Sequence, residues 1–169
     1  TPLARSTCVA LLRNPKVLKE LQVSAEQQSR IDILVDKMCV ETASRDSRSA
    51  GARNPPLARL IRQLDELTLA GLARILSDEQ FIRFEQIELQ RRGIWEIAEK
   101  RTADRLDLTE APRQKLTELK DSNPSPGRWR LRLSDAERKA WHERGEKIRG
   151  EAFDVLTPEQ KQTWKELLG

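Results

Sequence analysis

Residues 76–80 read LSDEQ and residues 156–160 read LTPEQ, and this five-residue pattern decides the fold. An apolar residue comes first, a hydroxyl residue second and a glutamine last. A Ser or Thr followed three positions later by Gln or Glu is the capping-box pattern of a helix N-terminus. The hydroxyl oxygen accepts a hydrogen bond from the N–H of the third residue after it, and the Gln side chain accepts one from the N–H of the cap. Each copy therefore predicts the start of a helix.

The pattern recurs at three further places in the chain. Residues 23–27 read VSAEQ, Ser134 with Glu137 is another match, and residues 108–114 read LTEAPRQ. In this last stretch Pro112 stands where the glutamine would be, so Thr109 predicts a helix start without the reciprocal bond. The residues of the helix-cap signature are Val23, Ser24, Gln27, Leu76, Ser77, Gln80, Leu108, Thr109, Gln114, Ser134, Glu137, Leu156, Thr157 and Gln160.

Four of these helix starts form two similarly spaced pairs, which indicates an internal duplication. The offset in sequence number from Ser24 to Ser77 is 53 (77 − 24), and the offset from Thr109 to Thr157 is 48 (157 − 109). Between the pairs, the first members are related by an offset of 85 (109 − 24) and the second members by an offset of 80 (157 − 77). We therefore predict two tandem helical units, residues 1–93 and 94–169.

The rest of the sequence favours helices as well. Leu, Glu, Arg, Lys, Gln and Ala dominate the composition, and no segment alternates apolar and polar residues over a useful length. We predict an all-α fold of antiparallel helical hairpins without a β-sheet, in which Phe84 and Trp164 occupy matching core positions. The apolar stripes predicted to be buried comprise Ile31, Leu34, Val35 and Met38, and Leu57, Leu60, Ile61, Leu64, Leu67 and Leu72.

The charge pattern argues against several classes of protein. Lys and Arg number 31 and Asp and Glu number 27, so the net charge is +4, and both signs are mixed along the chain. Blocks of like charge that would grip nucleic acid are absent from the sequence, so no nucleic-acid partner is expected. No apolar run approaches the ~20 residues that cross a bilayer. The sequence begins at Thr1 without a charged and apolar leader, so a signal peptide has either been removed or left out.

The two cysteines are placed almost symmetrically about the turn at Val23. In sequence number, Cys8 precedes Val23 by 15 (23 − 8) and Cys39 follows it by 16 (39 − 23). Equal arms of an antiparallel hairpin would bring the two sulfur atoms together. We expect either a disulfide, which would indicate an oxidising compartment, or two buried thiols.

Taken together, the motifs LSDEQ, LTPEQ and VSAEQ, set in two helical units, resemble the LTxxQ-motif periplasmic protein family (Spy/CpxP-like). In that family a kinked helical hairpin dimerises into a cradle that holds partly unfolded proteins without ATP. The resemblance implies a tandem duplication of the unit, which would form a pseudo-dimer within one chain. It also implies a periplasmic or otherwise exported protein whose signal peptide has been removed.

Residues that carry chemistry are sparse. The only histidine, His142, is four residues from Glu146, and Cys8 or Cys39 would have to assist in holding a metal. Since a structural zinc site normally needs four N or S ligands, we expect a solvated helix face here and no metal or cofactor. No nucleophile stands in a recognisable motif, and the Asp65/Glu66 pair is expected to be solvated helix surface. The sequence therefore favours a protein that is not an enzyme.

The most promising binding surface combines arginines with Trp129, a composition that suits anionic or unfolded partners, and the alternative is that this tryptophan covers the edge of the core. Its candidate residues are Arg59, Arg62, Arg74, Arg128, Trp129, Arg130 and Arg132. Three functions remain open. The first is an ATP-independent chaperone or envelope-stress modulator that binds unfolded proteins. The second is a scaffold or accessory subunit that docks one folded partner through a helix face, and the third is a metal sensor. The oligomeric state is open, and a monomeric pseudo-dimer is one alternative.

Overall fold

The structure is a computed structural model that describes the backbone of residues 6–48, 57–122 and 133–169, and the side chains in these ranges except 39, 41–48 and 57–60. Every regular element in these ranges is helical, which confirms the predicted all-α class. The helices are α1 (Thr7–Leu12), α2 (Pro15–Glu20), α3 (Ala25–Arg48), α4 (Leu57–Leu72), α5 (Asp78–Arg92), a 3₁₀ segment (Gly93–Ala98), α6 (Lys100–Arg105), α7 (Glu110–Ser122), α8 (Asp135–Asp154) and α9 (Pro158–Leu168). The chain divides into two compact units, Thr1–Arg91 and Arg92–Gly169.

The first unit is built on α4, against which both α1 and α3 pack. Its core is apolar, and each Leu-sized side chain that it buries contributes roughly 1.5–3 kcal/mol to folding. Gly71 allows α4 to approach α3 closely, because a Cβ at this position would lie 2.6 Å from Leu34 Cδ1. The buried core residues are Cys8, Val9, Leu11, Leu12, Val17, Leu21, Ile31, Val35, Leu72, Leu76 and Phe84.

The second unit is built on the 3₁₀ segment, which packs against α6, α7 and α8. Ile97, within that segment, is fully buried, and Trp164 of α9 is 4% exposed. The remaining buried residues of this unit include Thr102, Ala103, Leu106, Leu108, Leu116, Ile148, Ala152 and Leu156.

On the buried face of α4, one position differs from the predicted apolar stripe. Leu67 is 42% exposed, whereas its neighbour Thr68 is fully buried and donates its hydroxyl proton to Leu64 O at 2.7 Å. This internal hydrogen bond allows a threonine to take a core position, because its hydroxyl needs no water. The prediction that Leu67 is buried was therefore wrong. The side chains of Leu57 and Leu60, at the start of the same stripe, lie outside the described residues.

The two units share an uncommon backbone turn. Gln22, two residues before Ser24, has φ = 52°, and Asp107, two residues before Thr109, has φ = 49°. The next residue closes the turn in each unit, since Val23 N–H donates to Leu18 O at 3.4 Å and Leu108 N–H to Ala103 O at 3.0 Å. This is the left-handed turn that ends a helix, and it satisfies carbonyls that the helix leaves without a partner.

Buried side chains also match between the units at the two offsets found in the sequence. The offset of 85, which relates the first helix starts, pairs Leu21 with Leu106 and Ile31 with Leu116. The offset of 80, which relates the second helix starts, pairs Leu72 with Ala152, Leu76 with Leu156 and Phe84 with Trp164. All of these residues are buried. Each unit therefore fills the same core positions around its pair of helix starts, with different side chains at most of them.

Candidate functional site

The first unit holds two reciprocal capping boxes. Ser24 N–H donates to Gln27 Oε1 at 3.0 Å, and Gln27 N–H donates to Ser24 Oγ at 3.1 Å. At the second start, Ser77 N–H donates to Gln80 Oε1 at 3.0 Å and Gln80 N–H to Ser77 Oγ at 3.3 Å. Two otherwise unpaired backbone donors are thereby satisfied at the start of α3 and at the start of α5.

The same two glutamines also bind each other. Gln27 Nε2 donates to Gln80 Oε1 at 2.8 Å, and Gln80 Nε2 donates to Gln27 Oε1 at 3.2 Å. Each carboxamide oxygen thus accepts one hydrogen bond from its own cap and one from the opposite glutamine. A glutamate at either position would bring no donor, so this reciprocal pair requires the amide at both positions.

The second N–H of each amide reaches the chain that precedes the other helix start. Gln27 Nε2 donates to Ile75 O at 3.0 Å, and Gln80 Nε2 donates to Leu21 O at 3.0 Å. Leu21 directly follows α2 and Ile75 lies in the turn between α4 and α5, so neither carbonyl has an intrahelical partner. The pair of amides therefore fixes the starts of α3 and α5 to each other, and we call this arrangement the glutamine clamp.

The second unit has half of this arrangement. Gln160 forms a capping box with Thr157 through bonds of 3.0 and 3.3 Å, and its Nε2 donates to Leu106 O at 3.1 Å. Leu106 corresponds to Leu21 by the offset of 85, and Gln160 corresponds to Gln80 by the offset of 80. The same hydrogen bond therefore recurs at matching positions of the two units. Because Pro112 replaces the other glutamine, Gln114 lies one turn into α7 and donates to Glu110 Oε1 at 3.4 Å instead.

Ser134 and Glu137 form a capping box that serves only its own helix. Ser134 N–H donates to Glu137 Oε2 at 2.7 Å, and Glu137 N–H donates to Ser134 Oγ at 3.3 Å. Hydrogen bonds from the Ser134 side chain and backbone hold the pKa of the Glu137 carboxyl below its ordinary value. Glutamate lacks the N–H donor with which Gln27, Gln80 and Gln160 reach a second segment, so this capping box is an ordinary helix start.

Burial of Asp65 overturns the sequence prediction of a solvated carboxylate. Asp65 is 4% exposed, and its Oδ1 accepts from Ser6 Oγ at 2.6 Å and from Cys8 N–H at 3.2 Å. The carboxylate thereby caps the first turn of α1, where backbone N–H groups and the helix dipole favour a negative charge. Its position on the buried stripe of α4, one residue after Leu64, was the available signal. Glu66 is exposed, as predicted.

A buried carboxyl also lies beside Cys8. Glu88 is 1% exposed, and the Sγ of Cys8 donates to its Oε1 at 3.3 Å. The side chain of Cys39 lies outside the described residues, so the disulfide between Cys8 and Cys39 stays a prediction. A disulfide would remove the thiol proton that Glu88 accepts. Mass measurement with and without reductant tests which form the protein takes.

The predicted arginine-rich surface is only partly within the described residues. Arg62 and Arg74 are exposed on the surface of the first unit, and Arg74 O accepts from Arg30 Nη2 at 2.8 Å. The side chain of Arg59 and the residues Arg128, Trp129, Arg130 and Arg132 lie outside the described residues. The arginine-rich surface as a whole therefore stays a prediction.

Of the residues weighed for metal binding, His142 and Glu146 lie on the exposed face of α8, whereas Cys8 is buried in α1. His142 packs edge-on against Trp141, with ring centroids 5.2 Å apart, and Glu146 pairs with Arg149 at 2.5 Å. The hydrogen bond and charge of Arg149 hold the pKa of Glu146 below its ordinary value. Among the described residues, no three His, Cys, Asp or Glu side chains are grouped so that they would hold a metal ion.

Comparison of the chain with family models, curated proteins and solved structures finds no match. Within the described ranges, no helix combines the length and the apolar character needed to cross a membrane.

Proposed function

We propose that this chain is a non-enzymatic binding protein of the LTxxQ-motif (Spy/CpxP-like) kind. In this proposal it is a tandem duplication of one helical unit that acts in the periplasm and holds partly unfolded proteins without ATP. The observation that carries the proposal is the glutamine bond across each unit, Gln80 to Leu21 O and Gln160 to Leu106 O. The same motif glutamine caps a helix and binds a carbonyl ahead of another helix start in both units, which supports a duplicated LTxxQ-type unit.

Surface composition is consistent with weak, adaptable binding. Ile33, Val40 and Ile82 are 66%, 69% and 55% exposed on the first unit, among side chains of both charges. Apolar groups beside mixed charges allow many different chains to bind without one fixed geometry. Clients would therefore dissociate readily, without nucleotide hydrolysis.

Light scattering tests this function. A chemically unfolded client protein is diluted into buffer without nucleotide, alone or with an equimolar amount of the chain. We expect the chain to reduce the scattering, while the same mass of an unrelated helical protein leaves it unchanged. Unchanged scattering at equimolar and at tenfold higher ratio, on the order of micromolar protein, would remove the chaperone proposal.

The alternative is a scaffold that docks one folded partner, and one observation favours it. Ile33 and Val40 are seven residues apart on α3, so they project from one helix face and form the kind of anchor pair that docks into a groove. A scaffold would form one stoichiometric complex with its partner, measured by size-exclusion chromatography with light scattering, and replacing both residues with serine would abolish that complex. In the aggregation assay, the wild-type scaffold would leave the light scattering of the unfolded client unchanged.

A further inference from the structure

Each unit has a surface groove beside the long helix that follows its first helix start. In the first unit a groove of about 340 Å³ lies between the end of α1, α2 and one face of α3. Leu12, Leu18 and Val35 line its floor, and because Leu12 and Val35 are 2% and 5% exposed, the half-buried Leu18 supplies most of the apolar surface that a bound segment can reach. Asp32 and Asp36, one turn apart on α3, stand exposed at its edge beside Arg13.

The second unit has a groove of about 430 Å³ at the corresponding place, between the 3₁₀ segment and α7. Three lining positions match at the larger of the two offsets that relate the units. The matching pairs are Arg13 and Ala98, Gln28 and Arg113, and Asp32 and Thr117. The side chains differ at all three pairs, and among the described residues Ala98 is the one apolar residue that lines the second groove, which therefore lacks the apolar floor of the first.

Both grooves carry the charge opposite to that of the chain. The first combines Arg13 with two carboxylates, Asp32 and Asp36, which leaves a net charge of −1. The second combines Arg113 with Glu110 and Glu118, which again leaves −1. The chain as a whole has a net charge of +4. The two grooves therefore share the sign of their local charge, which different residues supply at positions that do not correspond.

We propose that the groove of the first unit binds segments of unfolded protein in which a lysine or arginine adjoins an apolar side chain. The apolar residue would lie on the groove floor, and its basic neighbour would pair with the exposed carboxylates at the edge. Volumes of a few hundred Å³ suit a few side chains and not a folded domain. This inference rests on the proposed binding of unfolded proteins and names the class of segment that is bound.

A pair of synthetic peptides tests the inference on the full chain. One peptide alternates leucine with lysine, and the other replaces every lysine with glutamate. We expect fluorescence anisotropy to show tighter binding of the lysine peptide, by roughly tenfold, and a loss of that preference as salt is raised. Equal affinity for the two peptides would overturn the inference.

Variants locate the binding. Asp32→Asn with Asp36→Asn removes both carboxylates from the edge of the first groove. We expect this pair to weaken lysine-peptide binding by roughly two- to tenfold, because exposed ion pairs contribute modestly. The matched control, Glu66→Gln with Glu79→Gln, removes the same charge from exposed positions outside both grooves and should leave the affinity within about twofold of wild type. A groove variant that binds like the control would overturn the inference.

The two proposals fail in different ways. A chain that suppresses client aggregation but binds both peptides equally retains the proposed function and loses this inference. A chain that neither suppresses aggregation nor binds either peptide loses both.

Discussion

Gln27 and Gln80, 53 residues apart in sequence, exchange hydrogen bonds through both of their side-chain amides at 2.8 and 3.2 Å. Each also completes a capping box and reaches a carbonyl beside the other helix start. All hydrogen-bonding positions of the two amides are thereby used. The glutamine of this motif therefore has two roles, because it begins one helix and fixes that helix to another segment.

Exchanging glutamine and glutamate at two capping boxes should have unequal effects. Gln160→Glu retains an acceptor for Thr157 N–H but loses the bond to Leu106 O, so we expect a loss of about 1–3 kcal/mol in unfolding free energy. Glu137→Gln retains the cap of α8 and gives up only the interaction of a charge with the helix dipole, so we expect a smaller loss. Urea unfolding of the two variants measures the difference, and equal losses would contradict the second role of Gln160.

The helix starts could be read from the sequence because a capping box is local. Ser24 and Gln27 are three residues apart, and their bonds need only the first turn of one helix. The clamp could not be read in the same way, because it depends on the packing that brings residue 27 to residue 80. The choice of Gln at 27, 80 and 160 but Glu at 137 was the one available signal.

Asp65 shows the same limit in the core. The sequence predicted a solvated Asp65, although it adjoins Leu64 on the α4 stripe, because burial of a carboxylate depends on donors from another segment. Those donors are Ser6 Oγ and Cys8 N–H, which α1 and its cap bring to it from 57 or more residues away. Local pattern alone therefore predicted the class of fold and the helix starts, whereas partners distant in sequence decided the polar contacts.

Glycine should stabilise the protein at the two left-handed turn positions. Gln22 and Asp107 have φ of 52° and 49°, a conformation that costs most side chains about 1–2 kcal/mol and costs glycine little. We expect Gln22→Gly to stabilise the protein by about 0.5–1 kcal/mol, and Asp107→Gly by less, because aspartate tolerates this conformation better. Thermal unfolding measures both.

The control for the glycine variants is Glu118→Gly within α7. It should destabilise the protein by about 1 kcal/mol, as glycine does in a helix interior. Destabilisation of similar size by Gln22→Gly would contradict the turn.

Two glycines in helices should respond oppositely to alanine. A Cβ on Gly71 would lie 2.6 Å from Leu34 Cδ1 and 2.8 Å from Leu34 Cδ2, so Gly71→Ala should destabilise α4 packing by about 1–2 kcal/mol despite the better helix propensity. Nothing lies within 4 Å of a Cβ on Gly150, so Gly150→Ala should stabilise by up to about 1 kcal/mol. Urea midpoints measure both.

A second background tests the cause of the Gly71 effect. In a Leu34→Ala background the cost of Gly71→Ala should shrink, because the crowding methyl groups are gone. An undiminished cost would show that Leu34 is not responsible.

The capping carboxylate of α8 should contribute to the pH dependence of stability. Because hydrogen bonds from Ser134 lower the folded-state pKa of Glu137, the folded protein holds this proton less tightly than the unfolded chain. The contribution is therefore present above the unfolded glutamate pKa of about 4.3 and is lost as the pH falls through the folded value. Between neutral and acid pH, the free energy of unfolding should fall less steeply with pH in Glu137→Gln than in wild type. Identical slopes would contradict the capping bond.

The claim that the motif glutamines fix two helix starts to each other is tested most directly in the first unit, by a double-mutant cycle on Gln27 and Gln80. Unfolding free energies of Gln27→Ala, Gln80→Ala and the double variant should show a coupling of about 1 kcal/mol or more, since each amide is the other's partner. Single losses that simply add, as expected for two independent helix caps, would contradict the clamp.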